Sequence, residues 1–273
     1  MIPSALLDQW QAGLTDGSIV PYLGPGVLAD VRSKLDGRPI PATGEQLILA
    51  MNNGQPMAPK LMYEFPRAAM NIELKRGRSA VTRFLDATYA TGKWTRAALH
   101  DWLAEIAPPY VIDINRDTQL QDSYAHMPHL LILGCARIGG TDYRFKLFAH
   151  DGDSYAEIDP TQADPALPVL FKPMGAPLPK SSYIASDADY VDYITELMGG
   201  FAVPAFVKAK RKGKRYLLLG MRLNRDSERM VFSDLIYDAA KEPAGWALIA
   251  APTDKERRFC KRQGIEIVEA TVE

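Results

Sequence analysis

The chain has 273 residues, of which 47% are hydrophobic and 24% are charged, which is enough for a large α/β domain with a buried core. Its net charge of −1 excludes a broad electrostatic attraction to nucleic acid or membrane surfaces. The two cysteines, Cys135 and Cys260, cannot supply the four ligands of a structural zinc site by themselves, and we expect each to be a small buried hydrophobe. The first residues lack the basic start and apolar core of a signal peptide, and no apolar stretch approaches the roughly 20 residues of a membrane span. We therefore expect a cytoplasmic protein.

The first predicted strand leads into a turn that contains two glycines. The apolar run Ile19–Leu23 is followed by Gly24, Pro25 and Gly26, and then by further apolar residues. This order is typical of a buried parallel strand that feeds a tight turn and a helix. Because glycines let a backbone approach a ligand closely, and a helix N-terminus offers free N–H groups, this turn is a candidate phosphate site.

Residues 30–106 contain no convincing strand and are predicted to form a helical insertion. Apolar residues recur at helical spacing in four segments: 43–53, 60–75, 79–90 and 95–106. Thr43 and Gln46 match the capping box that begins many helices. We expect the insertion to cover one mouth of a sheet that is formed by residues 1–29 and 107–273.

Five further apolar runs follow the insertion and are predicted to be strands. They are Tyr110–Ile114, Val169–Lys172, Tyr216–Gly220, Trp246–Ala250 and Ile265–Val268. Two weaker strand-like runs occur at 130–135 and 144–148, and Thr253 with Glu256 forms another capping box between the last two strands. Strands that alternate with helices predict a doubly wound, Rossmann-like α/β fold with a mostly parallel sheet of six strands.

Glycines and polar residues follow several of these strands at the predicted carboxyl edge, where open α/β sheets bind ligands. They are Asn115 and Asp117 after the second strand, Gly175 after the third, and Gly220, Asn224 and Asp226 at the fourth. As an alternative, Asn115 and Asp117 cap the helix that follows them, since both residue types are good N-caps.

The order of these motifs resembles the SIR2 family, in its SIR2-like, non-sirtuin branch. YLGPGVL is similar to the family's opening strand and Gly-Ala-Gly-x-Ser turn, and IDINRD is similar to its Thr-Thr-Asn-x-Asp segment. FKPMG resembles the Leu-His-Gly segment, and LLLGMRLNRDSERM resembles the late Gly-Tyr-Ser-Leu-x-Asp segment. The closing strand–helix–strand from Trp246 is also similar. The subgroup closest in pattern is the one encoded near bacterial nitrogen-fixation genes.

The resemblance implies that the ligand is NAD or another nucleotide that contains ADP-ribose. It places the pyrophosphate at Gly24–Gly26, Asn115 at the nicotinamide ribose, and Gly220 and Asn224 on the adenosine side. No metal is expected. The four-cysteine zinc module of the protein deacylases is absent from the sequence, which argues against a zinc-dependent deacetylase.

The chain departs from the family at the position of its general base. The family's histidine falls on Met174, whose thioether cannot take a proton, and the loss of a general base typically lowers a rate by about 10²–10⁴-fold. The family's late aspartate falls on Arg225, with Asp226 one residue further on. We therefore expect a catalytically impaired protein that binds NAD or ADP-ribose in a sensor or regulatory role.

Two alternatives stay open at this point. In one, the chain is an NAD glycohydrolase in which Asn115 positions the water and another histidine is the base, since positioning and electrostatics assist such cleavage strongly. His126 is the first candidate because it is nearest to Asn115 in sequence, and the others are His100, His129 and His150. In the second alternative the chain is a structural or interaction protein that binds no nucleotide, because Pro25 narrows the glycine turn.

The remaining predictions concern partners. The strongly basic run Lys208–Arg215 is expected to be a solvated helix end and turn, and the alternative is a docking patch for an acidic partner or nucleic acid. The near-zero net charge does not favour nucleic acid or membrane. A nucleotide ligand is expected, and both a protein partner and a homo-oligomer are compatible with the sequence.

Overall fold

The computed structural model describes residues 2–89, 92–139 and 143–271. The strands are β1 (Ile19–Leu23), β2 (Tyr110–Asp113), β3 (His129–Gly134), β4 (Phe145–His150), β5 (Tyr155–Glu157), β6 (Val169–Lys172), β7 (Gly175–Ala176), β8 (Ser182–Tyr183), β9 (Arg215–Leu219), β10 (Gly245–Leu248) and β11 (Ile265–Val268). The α-helices are α1 (Ser4–Asp16), α2 (Gly44–Met51), α3 (Pro59–Met62), α4 (Phe65–Arg76), α5 (Arg78–Tyr89), α6 (Ala98–Ile106), α7 (Gln119–Tyr124), α8 (Asp187–Gly199), α9 (Ala205–Arg211), α10 (Asp226–Leu235) and α11 (Asp254–Gln263). Short 3₁₀ helices span Pro25–Leu28 and Pro160–Gln162.

The central sheet has nine strands in the order β11-β10-β9-β1-β2-β6-β3-β4-β5. The strands from β11 to β3 are parallel, and β4 and β5 extend the sheet in antiparallel fashion. The predicted doubly wound, mostly parallel α/β fold is therefore confirmed. The predicted count of six strands is wrong, because the two weaker runs form β3 and β4, and the short strand β5 pairs with β4 in an antiparallel hairpin. The two-residue strands β7 and β8 pair separately.

Strand β1 lies in the interior of the sheet, between β9 and β2. All five of its residues are buried, which is why its sequence is continuously apolar rather than alternating. Its last residue, Leu23, pairs with Asp113 of β2 and with Leu219 of β9, so these three strands end level. The chain runs from β1 to β2 on one side and later returns to β9 on the other. The topological switch point is therefore the junction of β1 and β9.

Helices α2 to α6 follow β1 and precede β2, in the region predicted to be a helical insertion. The predicted helix 60–75 is two helices, α3 and α4, because Pro66 lacks the N–H of a helix interior and fits the first turn of a new helix. Residue 90, at the end of the predicted segment 79–90, lies outside the described residues. The division of the chain into an insertion, 30–106, and a sheet domain stays a prediction.

Several local predictions are confirmed. The capping boxes that begin at Thr43 and Thr253 both form completely, with side chain and backbone bonded in each direction. Cys135 and Cys260 are buried and unpaired. The basic run Lys208–Arg215 covers the end of α9, a turn and the start of β9. Throughout the described ranges, every helix is too short or too polar to span a membrane.

Candidate functional site

A cavity of about 490 Å³ lies at the carboxyl ends of β1, β2, β9 and β10. This volume is within the range of about 300–1,000 Å³ that is typical of small-molecule sites. Gly26, Asn115, Gly220 and Ala250 line it from the sheet side, and residues near the start of α2 and α4 line it from the region between β1 and β2. The cavity therefore straddles the topological switch point, where open α/β sheets bind their ligands.

Asn115 joins the ends of β1 and β2 at the floor of this cavity. Its Nδ2 donates to the carbonyl oxygen of Gly24 at 3.0 Å and to Oδ1 of Asp113 at 2.9 Å. Its backbone N–H donates to the same Asp113 oxygen at 2.9 Å. Asn115 and Gly24, which follow two different predicted strands, are therefore in direct contact. The three hydrogen bonds fix the orientation of the side chain, which does not cap the following helix.

A fully buried ion pair holds the acceptor of Asn115 in place. Lys172 Nζ donates to Oδ2 of Asp113 at 2.6 Å, and neither side chain is exposed. His100 Nε2 lies 3.8 Å from the same oxygen, too far for a hydrogen bond but close enough to act electrostatically. Burial acts to raise the pKa of Asp113, but the Lys172 ammonium and the His100 ring outweigh it and lower that pKa to about 2. Asp113 is thus ionised at neutral pH.

The glycine turn has a different role from the predicted one. The N–H of Gly24 donates to the carbonyl of Leu219, and the N–H of Gly26 donates to the carbonyl of Gly220, both at 2.9 Å. Pro25 has no N–H, and the following helix is a single 3₁₀ turn. The free N–H groups expected for a phosphate are therefore already bonded. A Cβ on Gly26 would lie 2.8 Å from Gly220 Cα, so glycine is needed here for the close contact between the β1 and β9 turns.

Met174 lies in the cavity wall as part of a polar chain. Tyr190 Oη donates to the Met174 sulfur at 3.1 Å, and Arg116 Nη2 lies within hydrogen-bond distance of the same hydroxyl at 3.4 Å. The Arg116 guanidinium also donates to the carbonyl of Ile184 and lies 5.1 Å from the centre of the Phe65 ring. Met174, which the resemblance aligns with the family's histidine, therefore lines the cavity and accepts a weak hydrogen bond at its sulfur.

Residues from both sides of the cavity meet at the start of α10. The Arg225 guanidinium lies 4.5 Å from the centre of the Tyr63 ring, and the N–H of Asp226 donates to Oε1 of Glu64 at 2.9 Å. In the ranges that the structure describes, neither Arg225 nor Arg116 forms an ion pair with a carboxylate within 4.0 Å. The cavity therefore contains two guanidinium groups that can donate hydrogen bonds to an anionic ligand.

Glu228 is a cavity residue that the sequence analysis missed. It lies in the first turn of α10, and its Oε2 is buried with no hydrogen-bond partner among the described residues. Burial raises the pKa of this carboxyl group to about 7, with the charge of Glu64 adding to the effect and Arg225 opposing it. An acid in a first helical turn is common in sequences, so nothing local distinguishes Glu228.

The structure brings together only some of the predicted site residues. Pro25, Gly26, Asn115, Met174, Gly220 and Asn224 line the cavity, together with Arg225. Gly24 lies behind it and contributes the carbonyl that Asn115 binds. Asp117 instead accepts the N–H of Gln119 at 2.7 Å in the turn just before α7, whose N-cap residue is Thr118.

The other predicted positions lie away from the cavity wall. Gly175 adopts a φ of +80° and begins the buried strand β7, and Asp226 is exposed at the start of α10. His126 is exposed just after α7. All four histidines of the chain lie within the described residues, and none of them lines the cavity. The geometry thus offers no histidine as a replacement for the missing base.

One comparison with known proteins identifies a domain family. A family model described as a SIR2-like domain matches residues 111–268, which is more than half of the chain and extends from β2 through β11. The match includes Asn115, Met174 and Gly220, and begins after the Gly24–Gly26 turn. No match to the chain is found among curated proteins. The described residues contain no group of three or more His, Cys, Asp or Glu side chains that could hold a metal ion.

Proposed function

Since the chain belongs to the SIR2-like family, we propose that its cavity binds NAD or another nucleotide that contains ADP-ribose. A SIR2-like domain indicates an NAD-related function in general. The observation that carries the specific proposal is that one cavity at the switch point holds Asn115, Gly220 and Asn224 together. These are the residues that the resemblance assigns to the nicotinamide ribose and to the adenosine side.

Among the described residues, two unpaired guanidinium groups support an anionic ligand, in a lining that also contains Glu45, Glu64 and Glu228. The N–H groups of Gly24 and Gly26 already have acceptors, so side chains must supply the partners of a pyrophosphate. Arg116 and Arg225 line the cavity without a carboxylate partner among the described residues, and guanidinium groups bind phosphate oxygens through paired hydrogen bonds. We assign the pyrophosphate to these two arginines.

Met174, in the wall of the cavity, favours a sensor or regulatory role. Met174 stands at the family's histidine position and cannot accept a proton, so cleavage assisted by that histidine is lost while binding is retained. The second candidate function, cleavage of the nicotinamide–ribose bond with a different base, is favoured by one observation. Glu228, which has an unpartnered carboxylate oxygen among the described residues, lines the same cavity.

The binding proposal is tested by isothermal titration calorimetry with NAD and with ADP-ribose. Replacing Arg225 by Gln removes one charge-assisted contact, which we expect to weaken ADP-ribose binding by about tenfold or more. Arg257→Gln is the matched control, because Arg257 is an exposed arginine that pairs with Glu269 outside the cavity. Equal affinity in the two variants would contradict the pyrophosphate assignment. If the folded wild-type chain binds neither ligand, the binding proposal is wrong.

A further inference from the structure

Glu228 is a cavity residue with one carboxylate oxygen that is unpaired among the described residues. Its Oε2 atom is buried and makes no hydrogen bond within the described part of the chain. Buried polar atoms are nearly always paired in folded proteins, and those that are not commonly serve a functional site. Because Glu228 also lines the cavity, its carboxyl group lies beside any ligand or water molecule bound there.

Several titratable side chains lie near Glu228, on β1, α4, α8 and α10 or just before these elements. They are Tyr22 of β1, Glu64 at the start of α4, Tyr190 of α8, Arg222 and Arg225 before α10, and Arg229 of α10. Two of the three arginines already have acidic partners, since Arg222 pairs with Glu256 and Arg229 pairs with Asp226. Arg225 favours the ionised form of Glu228 most strongly and Arg229 adds to its effect, while burial and Glu64 favour the protonated form.

We propose that Glu228 is the proton acceptor of this cavity and acts on a water molecule that attacks C1′ of the nicotinamide ribose. The inference rests on the proposed binding of NAD. In this step the C1′–N bond breaks, and its electron pair passes to the pyridinium nitrogen and neutralises it. The water oxygen forms the new bond to C1′, and its proton goes to Glu228. The products are nicotinamide and ADP-ribose, and the proton then passes from Glu228 to solvent.

The chemistry of this half-buried glutamate suits the role. A general base works best when its pKa is near the operating pH, and burial raises the pKa of Glu228 to about 7. Close to neutral pH a substantial fraction of the carboxylate is therefore ionised and still basic enough to take a proton. Met174 and the four histidines cannot supply this function, since the thioether does not accept a proton and the histidines lie outside the cavity.

The test measures nicotinamide release from NAD by the wild-type chain and by Glu228→Gln, with ADP-ribose affinity measured in parallel by calorimetry. We expect Glu228→Gln to lower the release rate by about 10²–10⁴-fold without abolishing ADP-ribose binding. The wild-type rate should rise with pH through about 7, and that rise should be absent from the variant. Asp254→Asn is the control, because Asp254 is an exposed first-turn acid of α11 that does not line the cavity.

The outcomes separate this inference from the binding proposal. If the wild-type chain binds ADP-ribose but releases no nicotinamide above the buffer rate, Glu228 is not a proton acceptor and the binding proposal stands. An unchanged rate in Glu228→Gln has the same meaning. If neither NAD nor ADP-ribose binds, the proposed function fails and this inference fails with it. The pH profile of the wild-type chain tests the role independently of how any variant folds, since a flat profile through pH 7 contradicts it.

Discussion

Replacing Lys172 by Met is predicted to destabilise the fold strongly. The Lys172 ammonium lies 2.6 Å from Asp113, and both side chains are fully buried between β2 and β6. Removing the ammonium leaves a buried carboxylate without its counter-charge, which costs about 3–5 kcal/mol of the free energy of unfolding. For a domain of this size, that loss corresponds to a melting temperature lower by roughly 6–20 °C.

A second substitution tests whether charge is the cause. Asp113→Asn keeps a side-chain oxygen that can accept from Asn115 but removes the negative charge. Combined with Lys172→Met, it leaves no uncompensated charge, so the double variant should recover part of the stability that Lys172→Met loses. The coupling between the two changes should be about 0.5–3 kcal/mol.

The assay is urea unfolding monitored by circular dichroism. The urea concentration at the midpoint is compared between variants whose free energy of unfolding has the same dependence on urea concentration. Lys180→Met is the control, because Lys180 forms an exposed ion pair with Glu157 and its loss should change stability by less than about 1 kcal/mol. If the losses of the two single variants simply add in the double variant, the reasoning about the buried pair is refuted.

Two further predictions concern the cavity wall. The folded-state pKa of Glu228 lies above the ordinary value of 4.5, so its neutral form stabilises the fold fully below pH 4.5 and that stability is lost as the pH rises through about 7. Relative to wild type, the free energy of unfolding of Glu228→Gln should therefore increase by up to about 3 kcal/mol between pH 4 and pH 8, as measured by thermal melts. A stability difference that does not change with pH would contradict the raised pKa of Glu228. Met174→His should raise nicotinamide release by no more than about 10²–10⁴-fold, and Asn115→Ala in that background should remove the gain. If neither change affects nicotinamide release, cleavage does not take place beside Met174 and Asn115.

The sheet was largely predictable from the sequence because its strands are buried on both faces. β1 and β6 have the predicted bounds, since a continuous apolar run ended by a glycine or a proline is a local signal. β11 also has the predicted bounds, although it is a partly exposed edge strand that contains Glu266. The strand count was not predictable in the same way. β4 alternates between buried and partly exposed residues, and β5 has three residues that are partly or fully exposed, so both depend on pairing with a neighbouring strand.

The sequence predicted only those site residues that directly follow a recognisable strand. The proximity of Asn115 to Gly24 follows from two parallel strands that end level at one edge. The hydrogen bonds that occupy the Gly24 and Gly26 N–H groups come from β9, almost two hundred residues later in the chain, and no local pattern reports them. The buried partners of Asp113 and the isolated oxygen of Glu228 are likewise products of tertiary packing.

The central claim is that an ADP-ribose nucleotide binds at the junction of β1 and β9. A crystal structure of the chain with ADP-ribose tests it most directly. We predict electron density for the ligand in the cavity between Asn115 and Gly220, with the pyrophosphate within hydrogen-bond distance of Arg116 and Arg225. Density for ADP-ribose at a different surface, or an unchanged cavity at saturating ligand, would contradict the claim.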